Sequence, residues 1–333
     1  MRAVVRALAV LAGVVVLSFV LTRVLPGDPL SVLGATPGMG PEQIDALRVE
    51  LGLDRSLVSQ FFDYLGGLLH GDLGHSVVTG RPVAVEIRHR LPASVELALA
   101  GFVPALMVAL GLGLASALRP DGWLDLAARG IVALGAALPV FVTGLLFIQV
   151  FYVGFGVVPE PSGRIDPWMR LPALVTGSVV VDAVLAEDWM AVRSALAHLV
   201  LPAVTMAVFA LGPMLRVFRA AMMAALADPG VAGARLVGVS EHRLVARYAM
   251  PEALGALIPV AAMTFGYMLG ANVLVEKVFA WPGAGRYALE ALMALDHAPV
   301  QGVLLILAMI HAALSLGADL VSRMLDPRLS AHG

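Results

Sequence analysis

Long uncharged runs alternate with short polar segments along the whole chain. The runs are Ala7–Thr22, Leu97–Leu118, Gly130–Pro159, Ser194–Leu215, Ala253–Val275 and Ala298–Ala318. A helix needs about 20 apolar residues to cross the hydrocarbon core of a bilayer. The second to sixth runs meet that length, and the first meets it once Val4 and Val5 are added and Arg23 snorkels to the interface. The pattern predicts an all-α polytopic membrane protein with six transmembrane helices. The first falls within 1–25, and the others lie near 95–118, 130–156, 195–217, 252–275 and 298–320. Arg2 and Arg6 precede the first run, as in a signal peptide. The run is long for a signal peptide's apolar region and no A-x-A site follows it, so a retained helix is expected. Leu171–Val181, bounded by Arg170 and Asp182, is too short to span and reads as an interfacial or loop helix.

The segments between the runs fix an orientation. An even number of spans puts both termini on one side. Arg2, Arg6, Arg119, Arg129, Arg216, Arg219, Arg235, Arg243, Arg247, Arg323 and Arg328 would share it, which makes it the cytoplasm. Arg88 and Arg90 flank the second span on the other side, at the end of a long loop, and long loops weigh little in this rule. Residues 26–93 then form a long extracytoplasmic region after the first helix. Within Pro26–Pro92 it carries eight acidic residues and five arginines. Pro41 and the spacing of Ile44, Leu47 and Leu51 predict a helix over Glu42–Glu50. Glu160–Arg193 faces the same way, with Trp168 and Trp189 suited to a membrane interface. Lys277–Pro299 is a third outward stretch, in which Trp281-Pro282-Gly283-Ala284-Gly285 reads as a turn. Residues 326–333 are a cytoplasmic tail.

Composition agrees with the bilayer as solvent: 59% of the 333 residues are hydrophobic and 14% charged, with a mean hydropathy of +0.89. The formal net charge of −2 gives no electrostatic case for nucleic acid. Absence of cysteine excludes disulfides, thiolate metal sites and cysteine nucleophiles. No His-Glu-x-x-His or Gly-x-Ser-x-Gly pattern occurs, so no catalytic residue is assigned. His70, His75 and His89 lack ligand spacing, and no metal site is expected. Lys277 is the single lysine and does not sit in a P-loop, so any ATP that drives this protein is hydrolysed by another subunit. Ionisable groups within or beside the spans are Glu96, Glu276, His198 and His311. Glu96 and Glu276 are expected in structural or interfacial roles, and His311, one turn from Ser315, in a helix-to-helix hydrogen bond. No acidic residue lies at mid-membrane and no internal repeat is visible, which disfavours an ion-coupled carrier.

Asp228–Pro251 is the main polar interruption between spans. Asp228-Pro229 is a helix start, the helix runs to about Val237, and Gly238 lets the chain turn. Ser240 caps a second helix with Glu241 in its first turn. On that helix Leu244 and Tyr248 share one face and Arg243 and Arg247 another, and Pro251 kinks or ends it. Two readings fit this helix–glycine–helix: a docking surface for another protein, or a solvated loop whose arginines enforce topology.

The same residues resemble the EAA loop of permease subunits in ABC importers. That pattern is E-A-A, three residues, G, nine residues, I-x-L-P; here it reads Ala232-Gly233-Ala234, Gly238, Tyr248-x-Met250-Pro251. Ala232 replaces the glutamate, and Glu252 stands where the family often has asparagine. Further blocks are similar to the dipeptide/oligopeptide/nickel permeases: Leu25-Pro26-Gly27-Asp28-Pro29, Leu51-Gly52-Leu53-Asp54, Gly71-Asp72-Leu73-Gly74-His75-Ser76, and Arg90-Leu91-Pro92-Ala93-Ser94-Val95-Glu96-Leu97. So are His198-Leu199-Val200-Leu201-Pro202-Ala203, Val275-Glu276-Lys277-Val278-Phe279, Pro282-Gly283-Ala284-Gly285-Arg286, Pro299-Val300-Gln301-Gly302 and Asp326-Pro327-Arg328. The chain resembles the B-type permease subunit of that importer family.

The resemblance implies a type I permease fold, with the permease domain over 94–325, in a bacterial inner membrane. It implies as partners a homologous second permease, two cytoplasmic ATP-binding subunits that hold ATP and Mg, an extracytoplasmic solute-binding protein, and membrane lipid. No cofactor is expected in this chain. Segment 228–251 becomes the coupling element, with Ala234, Arg235, Gly238, Ser240, Arg243 and Pro251 as its contact and turn residues. Glu276, Pro282, Gly283, Gly285 and Arg286 become a candidate extracytoplasmic gate. Dipeptides or oligopeptides are the expected cargo, with nickel, metal chelates or glutathione as alternatives within the family.

Overall fold

The second and fourth predicted spans form the most extensive helix pair of the structure, because one row of residues along the second is mostly small and buried. The computed structural model describes residues 2–24, 41–50 and 54–325. Among them the regular elements are helices, apart from one isolated bridge between His75 and Pro82. The motifs at 25–29, 51–53 and 326–328 and the tail 326–333 lie outside the described residues.

In chain order, α1 (Arg2–Val24) is followed by α2 (Pro41–Glu50), α3 (Leu57–Leu69) and α4 (Val83–Leu118). Next come α5 (Trp123–Ala137), α6 (Val140–Phe147), α7 (Val179–Leu185) and α8 (Trp189–Leu226). Segment 228–251 holds α9 (Pro229–Leu236) and α10 (Glu241–Leu244). α11 (Met250–Val278), α12 (Ala284–Met293) and α13 (His297–Leu325) complete the chain. Among the described residues, four helices are long and apolar enough to cross a membrane: Val83–Leu118, Trp189–Leu226, the continuous Glu241–Val278, and His297–Ser322. The first and third predicted spans correspond to shorter apolar helices, Ala7–Leu21 and Val140–Gly154.

Along α4, Ala93, Leu97, Gly101, Ala105, Ala109, Gly113 and Ala117 are all buried and four residues apart. Such a row forms one ridge of the helix surface, and its small side chains let a neighbouring backbone approach closely. The neighbour is α8, whose Ala203, Met206, Ala210, Met214 and Phe218 are buried against the ridge. A Cβ at Gly101 would lie 2.6 Å from Met206 Cβ and 2.9 Å from the Ala203 carbonyl oxygen, so this crossing requires glycine. α11 packs on α8 from another side and also meets α13, which in turn carries α1. α3 is held on α1 through Phe61 and Tyr64, whose rings lie 5.2 and 5.9 Å from that of Phe19.

The helix expected over Glu42–Glu50 is present as α2, with Leu51 outside the described residues. Elsewhere the structure departs from the expected elements at proline and at caps. The run read as one helix over 130–156 is divided: α5 starts earlier, at Trp123, and stops at Leu138-Pro139. Pro139 lacks an N–H and forces Leu138 into extended backbone (φ −121°, ψ 140°), so α6 restarts after it and ends in a π turn, Ile148–Gly154. Leu171–Val181 is not a helix; Ser178 caps α7, whose first residue is Val179. The turn at Trp281 closes by Gly283, and Ala284 and Gly285 open α12 instead of continuing the turn. Pro251 does not end its helix, because a π turn at Val245–Ala249 widens the backbone just before it and the helix runs on to Val278. His311 packs against Gly266 of α11, where a Cβ would overlap its ring, and lies beside Tyr267; that ring packing stands in place of the expected hydrogen bond.

Candidate functional site: a coupling segment and an outward anchor

The coupling segment is built from its caps. Asp228 accepts a hydrogen bond from the Gly230 amide at 2.7 Å, and Pro229 occupies the first turn of α9. Gly238 then takes a φ of +86°, a conformation that residues with a Cβ rarely adopt. The Ser240 carbonyl accepts from the Arg243 and Leu244 amides at 2.9 and 3.0 Å, while its hydroxyl makes no cap bond. Ala234 is half-buried, and its carbonyl accepts from the Val239 amide at 3.1 Å across the turn. Arg235 reaches across the same turn to Glu241, with Nη2 to Oε2 at 3.1 Å. Both groups are exposed, so the pair braces the turn and adds little to stability.

Val231 and Leu244 are buried and fasten the segment to the helices above it. Leu244 and Tyr248 were expected on one face, but Tyr248 is exposed and Ala249 is buried below Leu244. In a π turn the residue beneath i is i+5 instead of i+4, which replaces Tyr248 by Ala249. Arg243, Arg247 and Pro251 remain exposed. At the tip, Leu236 and Val237 are 89% and 82% exposed, the most solvent-facing large apolar pair of the segment. The sequence reading passed over them, although two bulky apolar residues just before a turning glycine in a polar segment are the usable signal.

Of the candidate gate residues, Gly283, Gly285 and the Arg286 amide gather around the carboxylate of Glu276. Glu276 is fully buried, near the end of α11. Its carboxylate accepts from the Ser94 hydroxyl at 2.5 Å and from the Arg286 amide, in the first turn of α12, at 2.7 Å. Ser94 in turn accepts from the Ala284 amide at 2.9 Å, and its carbonyl accepts from the Asn272 side-chain amide at 2.9 Å. Trp281, 1% exposed, donates from its indole N–H to the Ala93 carbonyl at 2.8 Å. A carboxylate at the start of a helix is favoured by the free amides there. Gly283 and Gly285 leave the space the carboxylate fills: a Cβ on Gly283 would overlap it, and one on Gly285 would come within 3.0 Å of Oε2. The Arg286 guanidinium turns away, donating to the Ala280 carbonyl at 3.1 Å and to Glu290 at 2.7 Å, and Pro282 is exposed. The web ties α4, α11 and α12 together.

A second buried web lies beside it. Glu96 accepts from Arg164 at 2.6 Å, from the Ser178 hydroxyl at 2.6 Å and from the Val180 amide at 3.0 Å. Arg164 also donates to the Gly177 carbonyl at 2.8 Å and lies over the Trp281 ring at 5.7 Å. Asp182 accepts from the Thr176 amide and hydroxyl, both at 2.7 Å, and from the Gly177 amide at 3.0 Å. Burial pushes the Asp182 carboxyl up, but these donors together outweigh it and hold it below the usual carboxylate range. Both webs carry the structural roles expected of Glu96 and Glu276. Replacing Arg164 with methionine strands a buried carboxylate. It is expected to cost about 3–5 kcal/mol, read as a lower unfolding temperature of the detergent-solubilised protein; an unchanged temperature would show the pair to be dispensable.

Residues 76–78 close on the turn between α12 and α13 through Asp296, which accepts from the Ser76 hydroxyl at 2.6 Å and from the Val77 and Val78 amides at 3.2 Å each. At the other end, buried Asp125 binds Arg219 at 2.5 Å and Arg129 at 3.2 Å, joining α5 to α8. The sequence reading did not single out Asp125, whose partner lies 94 residues away.

Long apolar helices carrying a helix–glycine–helix between two of them, with polar webs at the far end and no catalytic constellation assigned, define a multi-pass membrane permease component. Residues 108–331 match the family described as binding-protein-dependent transport system inner membrane component, and residues 1–98 match its N-terminal family. The chain belongs to this family. It is 37% identical over 324 residues to the probable D,D-dipeptide transport system permease protein DdpB of Escherichia coli (strain K12), covering 97% of this chain and 95% of that protein. It is 32% identical over 329 residues to a putative peptide transport system permease protein of Brucella suis biovar 1 (strain 1330), covering 99% and 98%. It is 30% identical over 320 residues to the dipeptide transport system permease protein DppB of Escherichia coli (strain K12), covering 95% and 94%.

Proposed function

We propose that this chain is one of two permease subunits of an ATP-driven importer of dipeptides or oligopeptides. In this reading six helices span the membrane, the shorter α1 and α6 among them, and both termini face the cytoplasm. A solute-binding protein delivers cargo at the end that carries the Glu276 and Glu96 webs. Two ATP-binding subunits act at the other end, where one of them receives segment 228–251. The observation that carries the reading is the shape of that segment: a capped helix and a left-handed glycine that present Leu236 and Val237 to solvent between two membrane-crossing helices. An apolar pair held out by a braced turn is a surface for a protein partner, which favours docking over a loop that only enforces topology. Peptide as cargo is supported by what the relatives are named for, at near full-length coverage.

ATP-driven closure of the two ATPases would move the coupling segment, and the long helices α8 and α11 that flank it would carry the movement outward. The Glu276 web makes α12 move with the outward ends of α4 and α11. Gly283 and Gly285 therefore act in the gate as packing positions around a buried carboxylate. The test is uptake into proteoliposomes by the complete complex with its binding protein, using labelled dipeptides, longer peptides and Ni²⁺. Uptake of peptide that needs both ATP and the binding protein is expected. Movement of solute without nucleotide would overturn the mechanism, and uptake of Ni²⁺ alone would replace the cargo.

A further inference from the structure

A cavity of about 330 Å³ opens between α5 and α8, and it is amphipathic in a definite direction. Its rim is cationic, with Arg129, Arg216 and Arg219, and its walls are apolar, with Val132, Ala133 and Leu215 among them. The sequence places the two parts at different depths. Arg129 immediately precedes the uncharged run that starts at Gly130, and Arg216 immediately follows the run that ends at Leu215. The arginines therefore stand at the level where hydrocarbon gives way to headgroups, and Val132, Ala133 and Leu215 lie on the hydrocarbon side.

The charges are partly preset. Asp125 is fully buried and holds Arg219 at 2.5 Å and Arg129 at 3.2 Å, and Arg129 also touches exposed Asp121 at 3.3 Å. Two of the three guanidinium groups, those of Arg129 and Arg219, thus share two carboxylates. Arg216 is exposed and, among the described residues, has neither an ion pair nor a hydrogen bond. A guanidinium presents a planar fork of donors that matches a phosphate, and a pair fixed by Asp125 loses little freedom on binding one. Inorganic phosphate would use only the rim. An amphiphile with an anionic head and an acyl chain would use the rim and the apolar walls together, and basic pockets between transmembrane helices suit such headgroups.

We propose that this cavity is a binding site for an anionic phospholipid, its phosphate on Arg216 and Arg219 and its acyl chain along Val132 and Ala133. The site lies on the α5–α8 junction that Asp125 pins, so its occupant bears on α8, the helix that leads into segment 228–251. Lipid retention needs neither nucleotide nor peptide, so it fails or stands separately from the import reading.

The test is native mass spectrometry of the complete complex, purified from nanodiscs that contain phosphatidylglycerol and phosphatidylcholine in equal amounts. Phosphatidylglycerol is expected to stay bound in preference through detergent washing. Arg216→Gln should lower its retention about fivefold, equivalent to about 1 kcal/mol, while Arg170→Gln on the outward side should not. Arg216 is exposed and has no ion pair or hydrogen bond to lose, and Arg216→Lys, which keeps the charge, should restore part of the retention. Equal retention of phosphatidylcholine, or unchanged retention in Arg216→Gln, would overturn the proposal. So would displacement of the lipid by inorganic phosphate, because the rim alone would then account for binding.

Discussion

Gly283→Ala is expected to loosen the outward end of the protein as severely as removal of a buried charge partner. Gly283 itself sits in extended backbone (φ −91°, ψ 176°), which alanine adopts without strain, so the effect is one of space alone. The added methyl would overlap the Glu276 carboxylate. A flexible side chain commonly moves aside for a methyl, but Glu276 is fully buried and its oxygens are engaged by Ser94 at 2.5 Å and the Arg286 amide at 2.7 Å. Any shift gives up one or both bonds and leaves a polar group unsatisfied in an apolar surrounding. A buried polar group left without its partner costs about 1–3 kcal/mol, so a loss of about 3 kcal/mol is expected in the unfolding of the solubilised protein. The stated cause can be checked by a double-mutant cycle. Glu276→Ala empties the space, so adding Gly283→Ala to it should cost almost nothing more. Full additivity of the two changes would mean that the methyl clashes with something else.

The positions of the long helices were legible because a bilayer demands uncharged runs of a set length, and four of the six runs coincide with helices long and apolar enough to cross. Caps were legible as well, since Asp228, Pro229 and Gly238 act through their own backbone and need no distant partner. What sequence reasoning could not resolve is where a proline's lost hydrogen bond goes. Pro139 breaks its run, whereas Pro251 is absorbed by a π turn, and only the packing of Leu244 and Ala249 against the neighbouring helices separates the two outcomes. The outward webs were hidden for another reason. Glu276 and Ser94 are 182 residues apart, and Arg164 and Glu96 are 68 apart, so no local pattern records either pairing. The candidate gate residues were brought to notice by family likeness, but the contact of Gly283, Gly285 and the Arg286 amide with one carboxylate is visible only in three dimensions.

Gly238→Val is expected to disconnect ATP hydrolysis from uptake while the protein stays folded in the membrane. The left-handed conformation costs an L-residue about 1–2 kcal/mol and more when the side chain is β-branched, and Gly238 holds a φ of +86°. No atom lies within 4 Å of a Cβ built there, so steric room is not the constraint and the penalty is conformational. The turn has little with which to resist. Its fixed points are the buried Val231 and Leu244 and the exposed Arg235–Glu241 pair, so the backbone rearranges locally and α8 and α11 keep their packing on α4. Rearrangement moves Leu236 and Val237, which precede the glycine directly, off the surface they form with it. Peptide uptake in proteoliposomes should fall at least about tenfold, the equivalent of about 1.4 kcal/mol in the coupling step, with unchanged insertion and complex assembly. Two companion variants separate the cause. Gly238→Asn, which tolerates left-handed backbone, should retain most of the uptake. Leu236→Asp leaves the backbone intact and should lose it, because a charge replaces the apolar contact. Wild-type uptake in Gly238→Val would remove the turn from the coupling path, and wild-type uptake in Leu236→Asp would mean that the partner is held by the arginines of the segment instead of by its apolar tip.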